Sequence, residues 1–238
     1  MWHAAQSPAR LLRACLRTVV SPITLVLPWR ARRALLVRLF GYEVHPTSRI
    51  GLAWVFPSQQ LVLKEGASIG HLTVCRGLGR LEIGPHGRLG PLNWVTGYTG
   101  EGPEKLFEEV SGRRSDLVIE EHAGITRRHF IDCTDAVTIG RFTTVAGYRS
   151  VLLTHSIDIT TGKQTCAPIS IGEYCFIGTN SVVLGGAVLP SFCVLGAMSL
   201  LGKRLEEPYR LYAGVPARPV KILEPDSGYF TRSRGRAF

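Results

Sequence analysis

The residue whose type and position point most directly to chemistry is His155, in the short run Thr154-His155-Ser156. Histidine is the side chain whose ordinary pKa lies nearest to neutral pH, so it can accept and return a proton under physiological conditions. The run lies in a segment from Leu153 to Pro168 that interrupts a regular repeat. Loops held by a rigid scaffold commonly carry functional residues. His155 is therefore the first candidate for chemistry.

The elements that must hold this loop are repeats of six residues. From Ile171 onward an aliphatic residue returns at every sixth position, namely at Ile177, Val183, Leu189, Leu195 and Leu201. The fifth place of each hexad is small, as at Cys175, Ser181, Ala187, Cys193 and Ser199. This period fits neither an α-helix nor an ordinary strand and is typical of a parallel β-helix with one short strand per hexad. Three hexads close one triangular coil, with the aliphatic side chains inside and the small residues at the corners.

The same register can be traced upstream, with interruptions. The predicted inward residues are Ile83, Leu89, Val95, Ile119, Ile125, Ile131, Ile139, Val145 and Val151. Fragments at Ile50 and Ile69 indicate that the solenoid begins near residue 48. The polar, glycine-bearing residues 97–117 are predicted to form a loop ejected between coils. A solenoid of this kind is stabilised by contacts between neighbouring coils and needs capped ends.

Three regions follow from these patterns: a basic, helical N-terminal segment over 1–47, the β-helix over 48–223, and a basic tail over 224–238. No acidic residue precedes Glu43, although arginines are frequent there. We predict a helix from Trp29 to Phe40, preceded by Pro28 and closed by Gly41. Two interpretations of this segment stay open, a cap on the first coil or an amphipathic surface lying on an anionic membrane. An organellar transit segment is less favoured. No uninterrupted run of about 20 apolar residues is present, so a spanning helix is not expected.

The charge and the cysteines narrow the function classes. The formal net charge is +10, which attracts polyanions, anionic lipid or phosphorylated ligands. The aromatic residues do not alternate with the basic ones in a stacking pattern, so nucleic-acid binding is not predicted. The six cysteines form no CxxC pair and show no zinc-ligand spacing. Reduced interior thiols in a cytosolic protein fit this pattern best.

Residues 119–223 resemble the hexapeptide-repeat acyltransferases, in particular the galactoside and maltose O-acetyltransferase branch and the sugar O-acetyltransferases of polysaccharide clusters. The motifs that carry the resemblance are IDCTDAVTIG (131–140), THS (154–156), PISIG (168–172) and YAGVPARPV (212–220). The resemblance implies an all-β, left-handed parallel β-helix. It also implies homotrimers with active sites in the clefts between neighbouring prisms.

The resemblance further implies an acetyl-CoA-dependent transfer in which the family's catalytic histidine falls on His155. An imidazole within hydrogen-bond reach of a substrate hydroxyl can act as a general base when that hydroxyl attacks a thioester. His129 and Asp132 correspond to acceptor-binding positions. The coenzyme A contacts map onto Thr179, Ala197, Lys203 and Arg218. No metal is expected.

The sequence therefore predicts an O-acyltransferase that moves an acetyl group from acetyl-CoA to a hydroxyl of a sugar or glycan precursor. A cytoplasmic location is expected, with peripheral contact at the inner face of the membrane left open. An amine acceptor also stays open, because the same base would serve it. The alternatives are a zinc enzyme of the γ-type carbonic anhydrase kind, using His86, His122 and His129, and a non-catalytic scaffold or binding protein.

Overall fold

Most of the chain winds through three sheets of short strands, which are parallel except for the last pair of one sheet. The structure, a computed structural model, describes residues 22–100, 106–107 and 110–235. Within these ranges successive strands belong to sheet 1, then sheet 2, then sheet 3, so that three strands complete one coil, with two exceptions: a separate two-stranded hairpin, and the last two strands, which both belong to sheet 2. This is the left-handed parallel β-helix that the hexads and the resemblance predict.

The strand bounds define the three faces of the prism. Sheet 1 contains β1 (Glu43–Val44), β4 (Gln60–Leu63), β7 (Arg80–Ile83), β10 (Asp116–Ile119), β13 (Val137–Ile139), β18 (Ile169–Ile171) and β21 (Val188–Leu189). Sheet 2 contains β2 (Arg49–Ile50), β5 (Ser68–Ile69), β8 (Arg88–Leu89), β11 (Gly124–Ile125), β14 (Thr144–Val145), β19 (Phe176–Ile177), β22 (Val194–Leu195), β24 (Arg210–Ala213) and β25 (Arg218–Ile222). Sheet 3 contains β3 (Trp54–Val55), β6 (Val74–Arg76), β9 (Trp94–Thr96), β12 (Phe130–Asp132), β15 (Val151–Leu153), β20 (Val182–Leu184) and β23 (Leu200–Leu201).

The core has the composition that the hexads predict. The aliphatic residues of the regular region are at most 1% exposed and stack in register, Ile171 beside Leu189 and Ile177 beside Leu195. The small residues of the fifth places are equally buried. Each fully buried aliphatic side chain of this kind contributes roughly 1.5–3 kcal/mol. The stack therefore stabilises the prism along its whole length.

The prediction of the inward-facing residues is wrong at one position. Val151 points outward, and Leu152 takes the place inside the prism, paired with Ile131 on one side and Val183 on the other. The cause is one extra residue at the corner between β14 and β15, where Gly147 adopts a φ of +70°. Glycine adopts this left-handed conformation without a steric penalty, so the chain can lengthen the corner there.

The corner between sheets 1 and 2 carries a ladder of aromatic rings. One residue at each of these turns has a positive φ, which costs a residue with a side chain roughly 1–2 kcal/mol. Ring stacking between coils offsets part of this cost, with centroids 4.7–5.4 Å apart. The rungs of the ladder are His86, His122, Phe142, Tyr174, Phe192 and Tyr209.

The described part of the C-terminal tail packs back along this ladder. Phe230 is buried and meets Phe192 and Tyr209 edge to face. The Tyr229 hydroxyl donates a hydrogen bond of 2.9 Å to the Cys175 carbonyl. The tail thus covers one corner of the prism.

The five cysteines within the described ranges are free and buried, and Cys15 lies outside those ranges. Burial raises the pKa of the Cys175 thiol to about 12. Its thiolate is therefore scarce at neutral pH, as expected for an inert core residue.

The N-terminal end of the prism is capped by α1 (Trp29–Phe40), which has the predicted bounds and ends at Gly41 with a φ of +67°. Residues 22–26 are also helical. The first strand begins at Glu43, ahead of the predicted start at residue 48. In the described ranges, neither helical stretch has the length and apolarity that a bilayer crossing requires.

Arg32 attaches α1 to the first coil. Its side chain is almost fully buried, and its two terminal nitrogens each donate a hydrogen bond of 2.7 Å, to the carbonyls of Gly51 and Ala53. Arg33 donates a third bond from the helix, to the Val44 carbonyl. These contacts are what the cap interpretation of the N-terminal segment requires.

We expect Arg32→Ala to lower the free energy of unfolding by roughly 1–3 kcal/mol, because it leaves buried carbonyls without a donor. Arg30→Ala, which removes the same charge from the exposed side of α1, should stay within about 0.5 kcal/mol of the wild type. Urea unfolding measures both variants. Equal stability of the two would contradict the capping role of Arg32.

Candidate active site

Both long interruptions leave the β-helix at the same corner, which leads from sheet 3 to sheet 1. The first, residues 97–115, follows β9, and the second, residues 154–168, follows β15. The second contains an antiparallel hairpin of β16 (His155–Asp158) and β17 (Lys163–Cys166). The first loop ends two residues before the predicted bound, because Asp116 and Leu117 belong to β10, and the second begins after Leu153, the last residue of β15. They flank the short turn 133–136 of the coil between them.

The carboxylate of Asp132 organises this corner. Its Oδ2 accepts hydrogen bonds from the Thr154 hydroxyl at 2.6 Å, the Thr154 backbone N–H at 3.0 Å and the His155 backbone N–H at 3.1 Å. Its Oδ1 accepts from the Thr134 hydroxyl at 2.8 Å. The carboxylate thereby fixes the start of the hairpin relative to the preceding coil.

The environment keeps Asp132 ionised. Burial alone would raise the pKa of this carboxyl, but the hydrogen bonds from Thr154, His155 and Thr134 outweigh burial and hold the pKa below its ordinary value. A charged acceptor also makes each of these hydrogen bonds stronger than a neutral one.

Asp132 selects the form of the His155 ring. Oδ2 lies 2.9 Å from His155 Nδ1, and an ionised carboxylate can only accept, so Nδ1 carries the hydrogen. In the neutral imidazole the lone pair is then on Nε2. The His155 side chain is 43% exposed, whereas that of Asp132 is 4% exposed. The arrangement is a proton acceptor held in one orientation at the protein surface.

The first loop supplies side chains that the sequence did not point to. Phe107 meets the His155 ring edge on, with centroids 6.4 Å apart. The Arg113 guanidinium lies 5.2 Å from the Phe107 ring centroid and donates a hydrogen bond of 2.7 Å to the Thr134 carbonyl. Only the position of these residues within a predicted loop could have identified them, because they belong to no motif.

His129 is in the interior of the corner between sheets 2 and 3, where it is 1% exposed. Its Nδ1 accepts a hydrogen bond of 3.1 Å from the Ser150 N–H, and Nε2 lies 2.9 Å from the Thr126 hydroxyl. Burial lowers the pKa of His129 to about 4. Both ring nitrogens are engaged, which argues against the predicted substrate contact and for a structural role. Asp132 was also predicted to contact the acceptor. In the structure its carboxylate is bonded to His155, Thr154 and Thr134.

Two of the predicted coenzyme A contacts stack at the corner between sheets 2 and 3. The Thr179 carbonyl accepts a hydrogen bond of 3.0 Å from the N–H of Met198, next to Ala197. The Thr179 hydroxyl donates to the Tyr148 carbonyl at 2.8 Å and accepts from the Tyr148 N–H at 3.1 Å. Thr179 therefore also clamps the corner that the extra residue enlarges.

The other two predicted contacts are exposed cations in different places. Lys203 follows β23 at the corner between sheets 3 and 1, the same corner as His155. Arg218 is in β25, beside Ala213 of β24. Within one chain, the width of sheet 3 separates Thr179 and Ala197 from His155 and Lys203.

The histidines of the zinc alternative do not converge. His86 and His122 stack ring on ring in the aromatic ladder, with centroids 5.0 Å apart, whereas His129 is inside a different corner. Across the ranges that the structure describes, no three histidine, cysteine or acidic side chains are grouped so that they could hold a metal ion.

No protein-family model and no curated protein sequence matches this chain. Solved structures do match. The BC4754 gene product of Bacillus cereus, provisionally assigned as an acetyltransferase, has a TM-score of 0.53 over 72% of this chain and 84% of that chain, at 16% identity. A mutant of AntD, an N-acyltransferase from Bacillus cereus in complex with dTDP and coenzyme A, has a TM-score of 0.50 over 76% and 84%, at 14% identity. The polysialic acid O-acetyltransferase OatWY has a TM-score of 0.49 over 81% and 90%, at 19% identity.

At these identities the likeness concerns the fold. This chain has the left-handed β-helix fold of the hexapeptide-repeat acyltransferases, as the sequence predicted.

The lowered pKa of Asp132 predicts a specific acid sensitivity. A carboxyl with a folded-state pKa below the unfolded value of about 3.9 stabilises the protein above that pH and loses the contribution as the pH falls through the folded-state pKa. The difference in unfolding free energy between wild type and Asp132→Asn should therefore be constant near neutral pH and shrink on acidification below about pH 4. Denaturant unfolding as a function of pH measures it. The exposed control Asp226→Asn should follow the wild type, and a difference for Asp132→Asn that is independent of pH would contradict the assignment.

Proposed function

We propose that the protein is an acetyl-CoA-dependent O-acyltransferase that acetylates a hydroxyl of a sugar or glycan precursor, with His155 as general base. The observation that carries the proposal is the 2.9 Å contact between His155 Nδ1 and Asp132, at the corner where both loops emerge from a β-helix of the acyltransferase kind. It leaves Nε2 as the proton acceptor on an exposed ring.

The chemistry follows from this arrangement. The acceptor hydroxyl attacks the thioester carbonyl of acetyl-CoA while His155 Nε2 takes its proton. The C–O bond forms, the C–S bond breaks, and the coenzyme A thiolate leaves and recovers the proton from the imidazolium. Asp132 stabilises the imidazolium through its charge and holds the ring in place. No covalent intermediate with the protein is needed, and general-base assistance of this kind is worth roughly 10²–10⁴ in rate.

The donor site is proposed along the C-terminal coils, with Thr179 and Ala197 lining a groove and Lys203 and Arg218 meeting phosphates. Charge-assisted contacts from exposed lysine and arginine suit a phosphorylated ligand. AntD, which shares the fold, was crystallised with coenzyme A, and this supports the choice of donor.

We further propose a homotrimer packed through sheet 3. The outward positions of this sheet form an apolar column in register, consisting of Trp54, Val74, Trp94, Phe130, Val151, Val182 and Leu200. Among them, Trp54, Trp94 and Phe130 are 36–45% exposed in the single chain. A continuous apolar surface with exposed aromatics is typical of an association site.

A cyclic trimer of this kind explains the separation of the predicted site residues. Rotation about an axis facing sheet 3 brings the sheet 3–1 corner of one chain against the sheet 2–3 corner of the next. His155 and Lys203 of one chain would then meet Thr179 and Ala197 of its neighbour. The active site would be a cleft between chains.

His155→Ala is expected to lower turnover at least a hundredfold, through loss of the base, with little change in coenzyme A affinity. Calorimetric titration with coenzyme A measures binding, and release of free thiol from acetyl-CoA in the presence of hydroxyl and amino sugars measures transfer. The matched control is His45→Ala, an exposed histidine near the N-terminal end of the prism.

Two results would contradict this proposal. Near-normal turnover of His155→Ala would remove the residue as the base. Failure of the wild type to bind coenzyme A or acetyl-CoA would reject the acyltransferase function itself.

Trp94→Lys should dissociate the trimer, because it puts a charge into the centre of the apolar column. Val37→Lys, which adds the same charge at a partly exposed valine of α1, should leave the assembly intact. Analytical ultracentrifugation measures the mass of each. A wild-type monomer, or a trimer that Trp94→Lys leaves unchanged, would exclude sheet 3 as the interface.

A further inference from the structure

The corner between sheets 2 and 3 carries a basic patch that the proposed transfer chemistry does not use. Arg127 and Arg128 lie between β11 and β12, and Arg149 lies between β14 and β15. All three are exposed. Within the described ranges, no carboxylate forms an ion pair with any of them. Tyr148, 52% exposed, lies beside Arg149, whose guanidinium carbon is 5.9 Å from the ring centroid.

Part of this patch lines a groove, and Arg149 lies next to the lining residue Tyr148. A concave region of about 500 Å³ is lined by Arg127, Arg128 and Tyr148 together with small and apolar neighbours. An exposed aromatic face beside guanidinium groups that form no ion pair with a described residue suits a ligand that has both a ring and a negative charge, because arginine binds phosphate and carboxylate through paired hydrogen bonds.

The corner is held rigidly in this form. Because His129 Nδ1 accepts from the Ser150 N–H, its hydrogen is on Nε2 and is donated to the Thr126 hydroxyl. The Thr126 hydroxyl in turn donates to the carbonyl of Gly147, the extra residue, at 2.6 Å. With the clamp from Thr179 on Tyr148, these bonds fix the enlarged corner from both sides. The buried histidine thus supports the patch.

Along the prism axis, the basic patch lies near the height of His155, the base proposed for the neighbouring chain. Tyr148 and Arg149 belong to the coil formed by β13, β14 and β15, and His155 ends the same coil. Rotation about an axis parallel to the prism keeps every residue at its height, so in the proposed trimer these side chains lie level with the neighbour's His155. Arg127 and Arg128 are one coil nearer the N-terminus, about 4.8 Å away along the axis.

The donor would approach from the other side. Thr179 and Ala197 lie one and two coils to the C-terminal side of Tyr148 at the same corner. The level of His155 therefore separates the proposed coenzyme A groove from Arg127 and Arg128, and Arg149 lies at that level.

Resting on the proposed function, we infer that the acceptor is anionic, and that Arg127, Arg128 and Arg149 of the neighbouring chain bind its phosphate or carboxylate while Tyr148 contacts its ring. Phosphorylated sugars, nucleotide-linked sugars and acidic sugars are acceptors of this anionic class. The same cations also suit the phosphates of coenzyme A, and the experiment below separates the acceptor from the donor as the source of the bound anion.

Pyrophosphate is the probe, titrated by calorimetry into the protein saturated with coenzyme A, so that the donor's own phosphate site is filled. We expect the double variant Arg127→Gln/Arg128→Gln, and Arg149→Gln, each to weaken pyrophosphate binding at least tenfold without changing coenzyme A affinity. The charge-matched control, Arg30→Gln/Arg38→Gln on α1, should bind pyrophosphate as the wild type does.

Each other outcome has a definite meaning. Binding that coenzyme A abolishes, or arginine variants that lose coenzyme A affinity, would assign the patch to the donor and overturn the inference. Pyrophosphate binding that is absent, or that the substitutions leave unchanged, would also overturn it. If arginine-dependent pyrophosphate binding occurs in a wild type that does not bind coenzyme A, the anion site stands and the acyltransferase proposal fails.

Discussion

The structure depends on the parallel register of the coils. Each inward residue must stack on the equivalent residue of the next coil, as Ile177 does on Leu195. A residue inserted within a strand would break this stacking. Departures from the repeat can occur only where the chain turns. The two ejected loops, the enlarged corner at Gly147 and the aromatic ladder are all corner features. The residues of the proposed site therefore lie at the turns.

Because the register is so strict, the fold could be predicted from the sequence residue by residue in the C-terminal coils. The prediction was wrong at Val151 for a local reason: one added corner residue shifts the inward position to Leu152 without changing the composition of the strand. The first strand begins at Glu43, ahead of the expected start near residue 48, and its Val44 lies six residues before Ile50 in the hexad register. The helix from Trp29 to Phe40 was predicted correctly, since proline and glycine mark both of its ends.

The candidate site was predictable only in part. His155 could be found because the segment that contains it interrupts the repeat. The same interruption shows that the residue lies between two coils. Its bond to Asp132 could not be deduced from spacing, because that depends on which atoms face each other across two coils joined at an irregular turn. Phe107 and Arg113 come from a loop of no recognisable pattern. For His129 the sequence favoured a side chain facing the cleft, whereas the structure shows that a histidine in a small-residue place can be accommodated inside a corner when both ring nitrogens have partners.

A rigid prism also limits how such a protein can acquire specificity. The stacked core cannot reshape around a substrate, so recognition must come from what is added at the corners and, in the proposed trimer, from what a neighbouring chain presents there. In this chain the loop that brings Phe107 to His155 and the corner that raises Tyr148 and Arg149 are two such additions. They lie on opposite edges of sheet 3. A substrate can touch both only in a cleft between chains, so assembly and specificity would then be selected together.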